Sequence, residues 1–181
     1  LSSGSGTTAK SSRTSIVNVK FVCGVAALTA VLASPALAQG ATPAPDFAMK
    51  ASVGNTFEVA ESKLALKQGA SPKVKAFARK MIKDHDMAEK KLQTAAKGSG
   101  ATVAMSLDDP HQALVTALQA KTGADFDKAY VADQIQAHQD TAALLASYKD
   151  AGDDAKLKTW ATKTLPTVNM HLKMAEAMSS M

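Results

Sequence analysis

Three of the four histidines of this 181-residue chain, His85, His138 and His171, fall on or beside apolar stripes in three separate helical segments. A fourth segment turns Glu58 and Glu61 toward the same interior. A carboxylate with several imidazoles suits Zn, Fe, Mn or Cu, and helical bundles build such sites in their cores. Glu58, Glu61, His85, His138 and His171 therefore form the candidate metal group. The competing reading is structural: buried histidines satisfied by Asp, Gln, Tyr or Thr across the core. Paired Glu-x-x-His steps are missing, so a carboxylate di-iron centre of the usual kind is not expected. Met170, Met174 and Met178 step by four around His171, a spacing that offers thioethers to Cu(I), although core filling is the commoner use of methionine. His111, after Pro110 in a connector, reads as a surface residue.

Other chemistries find few residues. The single cysteine is Cys23, no Gly-x-Ser-x-Gly elbow or phosphate loop occurs, and no serine is set beside a histidine for nucleophilic attack. Lys73, Lys75, Arg79, Lys80 and Lys83 lie on one outer face with acids nearby and no interleaved aromatics, the pattern of a solvated surface rather than a nucleic-acid site.

The elements that must position the candidate group are helices. The chain is 46% hydrophobic but only 4% aromatic, with Ala, Leu, Lys, Gln and Met throughout. Asp46 can cap a helix running to about Gln68, where Gly69 ends it. Ser71-Pro72 opens a second, reaching Lys97 before Gly98-Ser99-Gly100, with Val74, Phe77, Ala78, Met81, His85, Ala88, Leu92 and Ala95 on one stripe. A connector carries a short helix from Asp109 or Pro110 to Lys121, with Leu114, Val115 and Leu118 inward. A third long helix spans about Asp125 to Asp150, with Phe126, Tyr130, Ala137, Leu144 and Tyr148 central and Val131, His138 and Leu145 on its flank. The fourth spans about Asp154 to Met178 along Leu157, Trp160, Thr164, Val168, His171, Ala175 and Met178. Pro166 inside it predicts a kink near Thr162 to Leu165, in one helix rather than two because the stripe keeps its phase. Two tight antiparallel pairs joined by a longer connector make an all-α four-helix bundle with one crossover.

Heights along such a bundle follow from the turns. Across the first turn His85 stands opposite residue 56, so Glu58 is off level by roughly 3 Å and Glu61 by about 7 Å. Glu58 has the better height; Glu61 lies nearer the centre of the stripe of Gly54, Phe57 and Leu64, and the choice stays open. Across the second turn His138 and His171 miss each other by about 7 to 8 Å, which argues against one ion using both and leaves Asp133 or Gln134 at the level of His171. Asp84 points roughly 100° away from His85 and reads as a solvated or crossover contact.

Lys20 precedes an apolar run of about 13 residues, then Pro35 and the small-x-small triplet Ala36-Leu37-Ala38, the form of a secretory signal cleaved after Ala38. The run is short of the roughly 20 residues a bilayer span needs. Cleavage removes Cys23, Lys10, Arg13 and Lys20, so the formal charge of +5 drops to about +2 and bulk charge implies no anionic partner. The expected organisation is an extension and signal over 1–38, a Pro-rich linker over 39–45 and the bundle over 46–181. The product is expected in the periplasm or secreted.

The residues resemble a family. Asp46-Phe47, Gly54-Asn55-Thr56-Phe57-Glu58-Val59, Lys63-Leu64-Ala65, Ser71-Pro72 with Val74 and Phe77-Ala78, Met81-Ile82 with Asp84-His85, Phe126-Asp127 with Ala129-Tyr130, His138, Thr164-Leu165-Pro166 and His171-Leu172 are similar, in order, to the bacterial secreted proteins grouped as domain of unknown function 4142 and often labelled predicted outer membrane proteins. The resemblance implies a ferritin-like bundle in the cell envelope and supplies no activity. The family pattern places an acid just before the third helix's histidine; Ala137 stands there, which weakens a metal role for that helix. The expected function is a non-catalytic envelope or stress-related accessory protein, with room for a metal or small ligand between its helices as an open addition, and with a metal-dependent redox enzyme as the alternative. Peripheral envelope association or self-association, without nucleic acid, completes the reading. N-terminal sequencing of the exported protein should return Gln39 as the first residue; a start inside the apolar run would mean an uncleaved anchor.

Overall fold

A computed structural model of the protein describes residues 42–104 and 106–179. The expected signal, its cleavage point and the start of the linker lie outside the described residues. Five helices account for nearly all of the rest: α1 Ala44–Gln68, α2 Pro72–Ala96, α3 Asp109–Gln119, α4 Gly123–Ala151 and α5 Ala155–Ser179. Among the described residues no helix is long and apolar enough to cross a membrane.

Helix starts follow local chemistry, with two corrections. The first helix begins ahead of Asp46: Pro43 is its N-cap and a proline occupies its first turn, where an amide hydrogen would have no partner. Asp46 instead lies in that first turn, where its negative charge meets the positive end of the helix dipole. Ser71 is the N-cap of α2, yet its hydroxyl makes no capping bond. The Asp127 carboxylate of α4 takes over the turn, accepting the Ala70 and Ser71 amides at 3.1 and 2.7 Å. Asp108 and Asp154 cap α3 and α5 in the usual way, accepting His111 N at 3.0 Å and Leu157 N at 2.8 Å.

α1 packs on α2 and α4, and α5 packs on the other sides of both. Gly69, just past α1, bridges Gly123 at the start of α4, so these two helices run in opposite directions. Short turns at 69–71 and 152–154 reverse the chain within each hairpin, and the stretch between α2 and α4, carrying α3, returns the chain along the bundle. α3 rests on α1 and α4 and buries only Leu118; Leu114, expected inward, is 44% exposed because the other side of this short helix has no neighbour. α5 runs unbroken through Pro166. In α4 the core line is also displaced: Ala137 and Leu144 are only half-buried, while Val131, Gln134, His138 and Leu145 face the centre, since α4 must turn toward both α1 and α5.

The core is not continuous. One apolar cluster gathers Phe47, Ala51, Leu92, Leu145, Tyr148, Leu157, Trp160 and Val168, with Phe47 stacked on Tyr148 at 3.7 Å between ring centroids. A second, nearer the α1–α2 turn, gathers Ala65, Val74, Phe77, Met81, Leu118, Phe126, Tyr130 and Ala175. Between them α1 presents polar side chains inward, with Ser52, Asn55, Glu58, Glu61 and Ser62 all buried. Phe77 anchors one cluster and Trp160 the other, the indole donating to the Ala88 carbonyl at 3.2 Å. Phe77→Ala and Trp160→Ala should each cost about 3 to 5 kcal/mol by chemical denaturation, and losses below about 1 kcal/mol at both would contradict this packing.

Candidate metal centre

The polar layer receives one side chain from each long helix. Glu58 comes from α1, His85 from α2, His138 from α4 and His171 from α5, none more than 3% exposed. The three imidazole centroids are 5.5, 5.6 and 5.6 Å apart, nearly an equilateral triangle. One ring nitrogen of each lies within 4.8 Å of those of the other two. The middle of that triangle is about 3.2 Å from each ring centre, so a ring nitrogen turned toward it would stand at about 2 Å, the length of a Zn–N bond.

Each ring is held on one side and free on the other. His85 Nδ1 is 3.0 Å from Asn55 Oδ1 and 2.9 Å from Glu58 Oε2. His138 Nδ1 is 2.7 Å from the Gln134 carbonyl and 3.2 Å from Glu58 Oε1. His171 Nε2 is 3.0 Å from Asp84 Oδ2, which also accepts from Lys80 Nζ at 2.9 Å. The opposite nitrogens, His85 Nε2, His138 Nε2 and His171 Nδ1, are buried and have no hydrogen-bond partner among the described residues. A structural histidine satisfied across the core explains half of each ring; orphaned donors or acceptors at three neighbouring nitrogens are what that reading leaves out. Histidines that bind metal divide their nitrogens in this way, one toward the ion and one toward an orienting oxygen.

Electrostatics favour the ligating state of His138 and His171. Burial alone would raise the Glu58 carboxyl, but His85 and His138, with His171 behind them, outweigh it and hold Glu58 below the usual carboxylate range. Burial lowers His138, assisted by His85 and opposed by Glu58. Burial and the two other imidazoles bring His171 down to about 4 against the pull of Asp84. At neutral pH His138 and His171 are thus neutral, and a neutral ring has a lone pair to give.

Glu61 takes a different place. It accepts from Gln134 Nε2 at 3.0 Å, and burial, then the neighbouring Asp133 charge, raises its carboxyl far above the ordinary range. The sequence reading passed over Asn55 and Glu89. Ser52 Oγ and Asn55 Nδ2 donate to the Glu89 carboxylate at 2.8 and 3.0 Å, which fixes Asn55 against His85. Asn55 precedes Glu58 by one helical turn, as Gln134 precedes His138, and that spacing was the available signal. His111 is a half-exposed neighbour of Asp108 whose ring meets the Phe57 edge at 4.9 Å, away from the three histidines.

The expected mismatch between His138 and His171 is overturned by their ring separation of 5.6 Å. Side chains on a helix lean toward its N-terminus, so on antiparallel helices they lean toward each other's level when each lies past the other along its own chain. His138 and His171 are such a pair, as are Glu58 and His85, and residues on unequal levels come into one cluster.

Fold and site together define a four-helix bundle with a buried carboxylate and three-histidine layer. The chain belongs to the family described as Domain of unknown function (DUF4142), whose family model matches residues 28–178. No curated protein matches it. Among solved structures it is similar to a DUF305 fragment from Deinococcus radiodurans, with 14% identity and a TM-score of 0.67 over 78% of this chain and 98% of that one. It is also similar to CopM in the Cu(II)-bound form, with 16% identity and a TM-score of 0.64 over 77% and 97% of the two chains. The Cu(I)-bound form of CopM gives 16% and 0.63 over 75% and 94%. At these identities the likeness establishes a shared helical-bundle fold.

The state of Glu61 has a measurable sign. In the unfolded chain its carboxyl ionises near pH 4.3, whereas the raised folded value makes folding take up a proton above that pH, so its contribution falls as pH rises. Glu61→Gln keeps an acceptor for Gln134 and needs no proton. In chelator-treated protein the variant should be more stable than the parent by about 1 to 3 kcal/mol at pH 7.5, with the gain vanishing near pH 4.5 in urea titrations; the same difference at both pH values would refute it.

Proposed function

We propose that the protein is a non-catalytic envelope accessory protein that holds one transition-metal ion on His85, His138 and His171. The observation that carries this reading is a trio of buried imidazoles that bring one ring nitrogen each within 4.8 Å of the others, every ring also having one nitrogen without a hydrogen-bond partner among the described residues. Glu58 lies against the outer nitrogens of His85 and His138 rather than among the free ones, so it orients both rings and supplies a buried negative charge opposite the ion. Glu61, engaged with Gln134, stands outside the ligand set.

Three imidazoles suit Cu, Zn or Fe better than Mn, which prefers oxygen. The CopM structures described in Cu(II)- and Cu(I)-bound forms make copper the first ion to try. Burial of all three histidines supports holding over turnover, since a redox enzyme of this layer would have to admit a substrate between tightly packed helices. The signal-like leader and the family resemblance support an envelope location.

Thermal melts with Cu(I), Cu(II), Zn, Fe(II) and Mn test the site. An ion that binds only the folded state stabilises by about 2.7 kcal/mol at a hundredfold excess over its dissociation constant. His85→Gln, His138→Gln and His171→Gln should each abolish that shift while costing about 1 to 3 kcal/mol in the metal-free state. His138 is expected to matter as much as the others, despite Ala137, because its ring completes the triangle. Elemental analysis of untagged protein from its native envelope fraction should find about one ion per chain; no shift with any ion, or equal shifts in all variants, would sink the site.

A further inference from the structure

A groove of about 950 Å³ runs between α2 and α5. Its walls extend from Lys80 to Ala95 on one helix and from Ala155 to Met170 on the other, each about 22 Å at 1.5 Å per residue. Its apolar lining is Met87, Ala88, Ala95, Trp160 and Met170. Met87 and Met170 are 43% and 41% exposed, large apolar side chains left facing solvent in the same cleft. The same lining carries Lys80 and Lys91 from α2 and Lys156 and Lys163 from α5, against a single acid, Asp84, which is already paired with Lys80. No ion pair among the described residues engages Lys91, Lys156 or Lys163.

The placement of these charges selects the occupant. Asp84 meets His171 across the two helices, so Lys91 stands level with Lys163 and Thr164, while Lys80 and Lys156 lie toward opposite ends. A fatty carboxylate would want its cations gathered at one end of an apolar slot. A metal cation would be repelled by these lysines. Positive charge spread along both walls of an apolar trough, about four helical turns long, matches a helix with an apolar stripe beneath and acids on both flanks. Methionines suit such a lining because their unbranched chains repack around different anchors.

We propose that this groove is a docking site for an acidic amphipathic helix of a partner protein. The occupant lays apolar residues spaced i, i+3/i+4, i+7 on Met87, Ala88, Trp160 and Met170, and its flanking carboxylates pair with Lys91 and Lys163. Docking there also covers Asp84, the group that holds His171. The inference stands on the groove alone and survives if the metal reading fails.

Trp160 is the single tryptophan of the chain and lines the groove, so its fluorescence reads occupancy directly. Two synthetic 16-residue helical peptides without tryptophan serve as probes, sharing one Leu/Met stripe and differing only in flanks of Glu or of Lys. The acidic peptide should give a saturable Trp160 change and bind at least tenfold more tightly than the basic one. Lys91→Glu with Lys163→Glu, both exposed side chains, should leave the thermal melt unchanged and reverse the preference between the peptides. Equal binding of both peptides, a preference untouched by the charge reversal, a response to palmitate or anionic vesicles alone, or occupation of the groove by a second copy of this chain would each overturn the proposal.

Discussion

A buried carboxylate facing imidazoles is the constraint around which this bundle is arranged. Glu58 is wholly buried in α1, and a charge in that position is tolerable only if polar partners surround it. His85 and His138 meet its two oxygens, and Asn55, Gln134 and Asp84 then fix the three rings from outside. Each of these partners comes from a residue one helical turn away or from a neighbouring helix. The register of all four long helices is therefore tied to one plane. The apolar clusters on either side supply bulk stabilisation, but an apolar contact tolerates sliding far better than a set of directed hydrogen bonds does.

The same arrangement explains why α1 has so little apolar asymmetry for a core helix. Its inward face carries Ser52, Asn55, Glu58, Glu61 and Ser62, each matched to a polar group on α2 or α4, including the 2.8 Å contact between Ser62 Oγ and Tyr130 Oη. Such a helix depends on its neighbours for its position. Asp127 adds a second tie by clamping the α1–α2 turn to the head of α4, so both ends of the polar stretch are held by directed bonds.

Much of this was legible in the sequence. Five helices could be placed within a few residues from glycines, prolines and stripes, because those signals act locally. The vertical match of Glu58 with His85 was legible too, since a three-residue turn leaves little slack. What sequence could not deliver was the inward lean of side chains on antiparallel helices, which closed the apparent gap between His138 and His171. Nor could periodicity decide between Ala137 and His138 as the centre of α4's inner line, because residues 100° apart share a broad face and the neighbouring helices choose between them. Asn55 escaped notice because its role depends on Glu89 of another helix.

Division of the core by a polar plane also bears on how the molecule comes apart. An uninterrupted apolar interior couples every layer to the next, so melting tends to be all or none. Here the Phe47–Tyr148–Trp160 half and the Phe77–Phe126–Tyr130 half adjoin across a polar seam in which His85 Nε2, His138 Nε2 and His171 Nδ1 have no hydrogen-bond partner among the described residues. Coupling between the halves therefore passes through the directed contacts of Glu58 with His85 and His138, and through helices that run through both clusters, rather than through continuous apolar packing. Anything that satisfies those nitrogens works as a rivet, tightening the join between the two apolar halves.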